Sequence, residues 1–339
     1  MLSPSRLLPL LLLATGSALY GGQIDAIYAF GDSLSDVGNA FLAAGVPNPP
    51  YVNHQFTNGN VWVQDLAASL GLPALTPSLA AGNDYAAGSA QSGTTVFNTA
   101  GAADLPAQLA AFQTAHPSAD PNALYTLWIG SNDVSAIPLT ATPTQVQSDL
   151  AAITTNIDGA VETLAASGAK NFLIVDVPDL GKTPAALALG STAAMAESTI
   201  SGALDYSFLI PSLASIPGAG SLSLKVLDTY SLVDTITLNP SVYGFSDVTD
   251  PCLTGSVNYT GGTVCGTPNT FLFWDEIHPP AAADQIVSSA ALAVVAPEPS
   301  SLALGVFGLL ALSLVRLSAQ PRDSAQSLSR AHGPQHRHR

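Results

Sequence analysis

Four short apolar runs punctuate the chain, at 24–30, 124–129, 172–177 and 224–227. They are too short for helices, rich in Ile, Val, Leu and aromatic residues, and largely without the alternation of a half-buried strand. Near-continuous apolar runs of this length predict strands buried on both faces, as in a parallel sheet. Around them, apolar residues recur with helical spacing over 61–70, 105–115, 144–167, 192–209 and 284–295. Gly168 stands where the third of these helices should stop. The alternation predicts an α/β chain, with a central parallel sheet and helices on both faces. In such sheets, sites form at the carboxyl ends of the strands.

The pattern changes at both ends. Arg6, an apolar run over 7–13 and the small residues Gly16, Ser17 and Ala18 are laid out as a Sec-type signal peptide, which sets residues 1–22 apart as an export leader. The competing reading is a buried N-terminal helix. At the other end, Pro297-Glu298-Pro299 precedes an apolar run over 301–315, then Arg316 and a polar tail closing on His336, Arg337, His338 and Arg339. That run falls short of the roughly 20 residues of a comfortable membrane span. The cations beyond it would stay cytoplasmic in an exported protein, so a tail anchor accounts for it. The layout more closely resembles the PEP-CTERM sorting signal of Gram-negative bacteria, with a thinner basic cluster and a longer tail. That resemblance implies transient membrane anchoring over 297–339, cleavage by an exosortase-type processing protease, and a destination at the cell envelope, the cell surface or outside. The working domain is then 23–296.

Composition narrows the function. Hydrophobic residues make up 47% of the chain and charged residues 10%, so the domain can build a large core and is not disordered. The net charge is −15, and between residues 23 and 296 the only basic side chains are Lys170, Lys182 and Lys225. Such a domain cannot neutralise successive phosphates, which excludes nucleic acid as a partner. It also has no arginine for a bidentate clamp on a carboxylate or phosphoryl group, which favours a neutral or apolar substrate. Cys252 and Cys265, separated by twelve residues, lie in a loop rich in Gly, Thr and Asn. In an exported chain a disulfide is expected to close that loop, removing roughly 3 kcal/mol of unfolded-state entropy. Two cysteines with no His cluster make no metal site.

The unusual residues sit where the runs end. The first strand leads into Gly31-Asp32-Ser33-Leu34-Ser35-Asp36-Val37-Gly38-Asn39, which projects the Ser33 hydroxyl at the sheet edge. Helix after Ser33 would aim its N–H at the same spot; as an isolated feature, Ser33 reads equally as an N-cap. The second strand leads into Gly130-Ser131-Asn132-Asp133. There the Asn132 amide can face a developing oxyanion and Gly130 permits close approach, although an Asx turn gives the same letters. In Asn83-Asp84-Tyr85-Ala86-Ala87-Gly88-Ser89-Ala90, Gly88 can present a bare backbone N–H, or simply mark a turn. Near the C-terminus, Trp274-Asp275-Glu276-Ile277-His278-Pro279 puts a carboxylate three residues before a histidine. An Asp on one ring nitrogen fixes the tautomer and leaves the other free to take a proton from a serine.

Taken along the chain, the Gly-Asp-Ser-Leu, Gly88, Gly-Ser-Asn-Asp and Asp-x-x-His blocks resemble in order and spacing the GDSL/SGNH hydrolases over about residues 25–295, most closely their bacterial lipase/esterase and haemolysin-like branch. The Asp250-Pro251-Cys252 loop and the Leu272-Phe273-Trp274-Asp275-Glu276-Ile277-His278-Pro279 ending share in that likeness. The resemblance implies a three-layer α/β/α flavodoxin-like sandwich and a secreted serine esterase or lipase without metal or organic cofactor. It casts Ser33 as nucleophile, His278 as general base and acid, and Asp275 as its orienter. Ser33 N–H, Gly88 N–H and the Asn132 side chain become oxyanion donors, with Asp32 and Gly130 in support. Carboxylic or lipid esters are the implied substrates. Acyl transfer to another acceptor, or deacetylation of a polysaccharide, would use the same residues. Two other classes compete: an inactive surface protein on the same fold, and a flavin-binding module, which would have no use for the Asp-x-x-His block.

Overall fold

The computed structural model describes residues 24–93 and 103–296; the leader at 1–22 and the sorting segment at 297–339 lie outside the described residues. In chain order the main elements are β1 (Ile27–Gly31), α1 (Trp62–Ser69), α2 (Leu105–Ala115), β2 (Leu124–Trp128), α3 (Pro143–Ser167), β3 (Asn171–Val175), β4 (Ser223–Leu227), α4 (Thr229–Leu238) and α5 (Ala281–Val295). The four strands form one parallel sheet in the order β1-β2-β3-β4. Ile27 stands opposite Leu124, Leu124 opposite Asn171, and Asn171 opposite Ser223, so the strand ends are level and their carboxyl ends make one edge.

Residues 83–87 add a fifth, irregular member on the free side of β1. Ala29 N–H donates to Asn83 O (3.1 Å), Tyr85 N–H to Ala29 O (2.7 Å) and Ala87 N–H to Gly31 O (3.1 Å). The segment that follows β1 in the chain therefore lies on one side of it and β2 on the other. This is a flavodoxin-like order, and the chain's direction of progress across the sheet reverses between β1 and β2, where such folds open a crevice.

Side chains alternate between two cores, as the period of two in a strand requires. Phe30, Tyr125, Leu127, Phe172 and Ile174 pack against Leu109 and Phe112 of α2 and Ile153 and Ile157 of α3. Ile27, Ala29, Leu124, Leu173 and Val175 pack against Trp62 and Leu66 of α1 and Ala291 of α5. At about 1.5–3 kcal/mol per fully buried large apolar side chain, these two faces are the main stabilising term of the sandwich.

Local signals set the helix ends. Thr142 and Gln145 form a reciprocal capping box at the start of α3, and Gly168 closes it at φ 123°. The helical pattern over 192–209 is interrupted: an α-helix covers Ser191–Ala203, and a wider π turn covers Leu204–Leu209. In that turn the buried Asp205 carboxylate accepts from Val177 N–H at 3.1 Å, tying it to the end of β3. Two small ladders lie beyond the sheet, Asp247–Pro251 with Phe271–Phe273 and Leu253–Thr254 with Thr263–Val264. Cys252 and Cys265 form the disulfide expected of their loop, with Cα atoms 4.9 Å apart.

Candidate active site

The turn after β1 is built on Gly31. A Cβ there would stand 2.2 Å from the Trp128 carbonyl oxygen, so only glycine lets β1 and β2 converge at this point. Asp32 N–H then donates to that oxygen at 3.2 Å, and Asp32 Oδ1 accepts from Leu34 N–H at 3.0 Å. The chain bends sharply and leaves Ser33 at the crest. The Ser33 N–H has no hydrogen-bond partner among the described residues. Burial raises the Asp32 carboxyl to about 7, against the pull of Leu34 N–H and His278.

Ser33 Oγ lies 2.8 Å from His278 Nε2. His278 Nδ1 lies 2.8 Å from Asp275 Oδ2 and 3.0 Å from Oδ1. The three-residue spacing produces this pair directly. Asp275 Oδ1 accepts from Ile277 N–H (2.9 Å) and His278 N–H (2.8 Å), folding the segment into a turn that returns the imidazole over the carboxylate. Burial pushes the Asp275 carboxyl up, but the adjacent His278 and these hydrogen bonds outweigh it, so the group sits below its ordinary value and stays ionised. The structure thus brings Ser33, His278 and Asp275, which are 245 and 3 residues apart in sequence, into one hydrogen-bonded line.

Asn132 occupies the first turn of the short helix Ser131–Ala136, whose N-cap Gly130 has φ 121°. One amide hydrogen of its Nδ2 goes to Ala90 O (2.9 Å), which aims the side chain and leaves the second hydrogen available. Gln91 Nε2 donates to the Asn132 carbonyl at 3.1 Å and fixes the loop from the other side. Asn132, Ser33, Asp32 and His278 line one cavity.

Gly88 departs from the role the resemblance implies. Its N–H is committed to Asp36 Oδ2 at 2.8 Å, and it is not among the residues lining that cavity. The reason is electrostatic. Asp36 is fully buried, and its carboxylate gathers the N–H groups of Gly38 (2.7 Å), Asn39 (2.6 Å), Ala40 (3.0 Å) and Gly88. What Gly88 does supply is space: a Cβ would stand 2.5 Å from the Phe56 ring, and that ring packs 5.1 Å from the His278 imidazole, centroid to centroid.

Three aromatic residues that no local motif marks surround the His–Asp pair. The Tyr51 hydroxyl donates to Asp275 Oδ2 at 2.8 Å, and burial followed by the Asp275 charge holds that phenol well above its ordinary value, so it remains a donor. Phe56 and Tyr259 flank the imidazole, with ring centroids 5.1 and 5.8 Å away. Tyr259 lies within the loop closed by the disulfide. The Tyr51 and Phe56 contacts link residues more than 200 positions apart, and Tyr259 reaches His278 from the disulfide loop, so no local spacing signals them.

The GDSL-like lipase/acylhydrolase family model matches residues 27–291, which covers the sheet, both cores and every residue of this site. The chain belongs to this family. Membership carries the general activity, cleavage of carboxylic esters. The thermolabile haemolysin of Vibrio parahaemolyticus serotype O3:K6 (strain RIMD 2210633) is 28% identical over 291 residues, 80% of this chain and 64% of the haemolysin, so this chain spans less than two thirds of that relative. GDSL esterase/lipase 6 of Arabidopsis thaliana is 26% identical, covering 76% of this chain and 83% of the relative. The phosphatidylcholine-sterol acyltransferase of Aeromonas hydrophila is 27% identical over 74% of this chain and 72% of its own length.

Proposed function

We propose that the chain is a serine esterase acting through Ser33, His278 and Asp275. The observation that carries the reading is the unbroken line from Ser33 Oγ through the imidazole to a buried, ionised carboxylate. Ser33 Oγ attacks the ester carbonyl carbon while its proton passes to His278 Nε2. The negative charge on the carbonyl oxygen is met by Ser33 N–H and the second hydrogen of Asn132 Nδ2, fixed donors that need no reorganisation. Asp275 stays ionised, holds Nδ1–H, and stabilises the imidazolium. Collapse breaks the ester C–O bond, and His278 returns the proton to the leaving alkoxide. Water then attacks the acyl-enzyme with His278 as base, releasing the acid and restoring Ser33.

A second reading, acyl transfer to an alcohol, draws support from the acyltransferase relative and changes only the species that attacks the acyl-enzyme. Export fits the same picture: the Cys252–Cys265 disulfide suits an oxidising compartment, in keeping with the leader at 1–22 and the sorting segment at 297–339. In that arrangement the enzyme is anchored transiently and released at the envelope of a Gram-negative cell by an exosortase-type protease. The test is hydrolysis of p-nitrophenyl butanoate by the full chain beside Ser33→Ala. Loss of all activity in a folded variant supports the nucleophile assigned; equal rates overturn it. Release of ester product on adding alcohol would separate transfer from hydrolysis.

A further inference from the structure

The cavity that begins at the triad also bears on what is attached to the scissile carbonyl. It runs along the carboxyl edge of the sheet, from Ser33 and His278 past the end of β3 to α4 and α5. Its walls are mainly carbon: Leu34, Leu180, Leu232, Ile236, Phe273 and Val287 are among the lining residues. Leu34, Ile236 and Phe273 are buried, Leu232 and Val287 are half-buried and Ile277 is exposed, so the cavity has a packed floor and opens at one side.

Charge and size each narrow the occupant. No Lys, Arg or other permanent cation lines the cavity, while two carboxyl groups, Asp32 and Asp179, do. An acyl group carrying a carboxylate or phosphate would lose its hydration there, and the nearby cation, Lys182, lies outside the lining and is already engaged by Asp179 (3.7 Å) and Asp234 (3.3 Å). The cavity volume is about 100 Å³. An apolar cavity of roughly 150 Å³ accommodates benzene, with six carbons, so by proportion this one accommodates about four carbons of a flexible chain. Longer chains gain nothing further from the protein once the cavity is filled.

Building on the esterase reading above, we infer that the enzyme is selective for esters of short, uncharged acyl groups of about four carbons, with the acyl chain seated in this cavity. The wall residues that set the limit are Ala283 and Val287, on successive turns of the same face of α5. Ala283 is buried in the cluster with Ile236, Leu272 and Phe273, so any carbon added to it projects into space already bounded on its other sides. Val287 is partly buried, and trimming it extends the cavity along the helix.

The test is kcat/KM of the full chain for p-nitrophenyl esters from acetyl to hexadecanoyl, with the leaving group held constant. Each methylene that enters an apolar site contributes roughly fourfold, so kcat/KM should climb from acetyl to about butanoyl and then level or fall. Ala283→Val should move the optimum towards acetyl, and Val287→Ala, the milder change for folding, should move it one or two carbons longer. A profile that is flat from acetyl onward, or one still rising at decanoyl and beyond, overturns the inference. So does a glutaryl monoester cleaved as fast as the butanoyl ester. If no ester of any length is cleaved by folded protein, it is the esterase reading that fails.

Discussion

Replacing Tyr51 by phenylalanine removes one oxygen atom and asks whether the buried phenol positions the catalytic pair. In the structure that hydroxyl donates to Asp275 Oδ2 at 2.8 Å, the same oxygen that lies 2.8 Å from His278 Nδ1. Asp275 Oδ1 is held by two backbone N–H groups, so Tyr51 is the side chain that fixes the other half of the carboxylate. A hydrogen bond to a charged group contributes roughly 1.5–3 kcal/mol. Turnover suffers to the extent that the freed carboxylate lets His278 drift from its alignment with Ser33. If that misalignment forfeits about half of the bond's worth, kcat falls roughly 4- to 12-fold. KM should hold, because Tyr51 is not among the residues lining the cavity. The pH profile carries the distinguishing signature. A carboxylate relieved of one donor holds a protonated imidazole more tightly, so the acid limb of kcat/KM moves to higher pH. Steady-state kinetics between pH 5 and 9 read both effects. A raised KM with unchanged kcat, or a lower melting temperature with an unshifted acid limb, would show that Tyr51 only fills space.

Further outcomes follow from the same geometry. Asn132→Ala removes the side-chain oxyanion donor and should lower kcat by roughly 10²–10³ with little change in KM; unchanged turnover removes Asn132 from the mechanism. Asp32 has a folded-state value raised to about 7 from an ordinary 3.8, so the folded protein binds the extra proton. Its burial is harmless below pH 4 and costs stability increasingly as the pH rises from 4 to 7, by up to about 4 kcal/mol. Asp32→Asn, which keeps the acceptor for Leu34 N–H, should therefore flatten the decline in melting temperature across that window; a variant that declines as steeply as wild type refutes it. Burial also raises the carboxyls of Asp36, Asp84 and Asp284 in the same direction, so the domain as a whole should be most stable in mildly acidic solution. Removing the disulfide with Cys252→Ser and Cys265→Ser should cost about 3 kcal/mol, seen as a lower denaturant midpoint. It should also lower kcat, because the loop carries Tyr259 against His278; full activity in the double variant would exclude that second effect.

What the chain's letters disclose depends on how local the cause is. β1, β2 and β3 were legible because burial on both faces demands near-continuous apolar runs; β4, at the sheet edge with Ser223 and Lys225 exposed, was read from the short run over 224–227 alone, and α2 and α3 from apolar stripes that repeat cleanly. The three residues proposed as a triad stood out because each follows an element end: Ser33 after β1, and Asp275 and His278 after the Phe271–Phe273 strand. Segment 83–87 gave no strand signal, since Asn83 and Asp84 lead it and its pairing with β1 is set by the sheet edge. Helix α4 was hidden for the opposite reason. Thr229, Tyr230, Val233, Thr235, Ile236 and Thr237 favour strands individually, and the Asp228 cap together with packing of Leu232 and Ile236 overrides that preference. Gly88 shows where a motif letter misleads about its cause. The backbone N–H suggested an anion donor, whereas the structure gives that N–H to Asp36 and uses the missing side chain to admit Phe56.

The central claim is that Ser33 is a nucleophile activated by His278, and mass-mapped labelling with a fluorophosphonate addresses it most directly. Treating the full chain at pH 7.5 should add one phosphonyl group, located on the peptide containing Ser33, in step with loss of p-nitrophenyl butanoate hydrolysis. His278→Ala should slow that labelling by orders of magnitude while leaving the fold intact. Labelling at another serine, or undiminished hydrolysis after Ser33 is fully modified, would contradict the account.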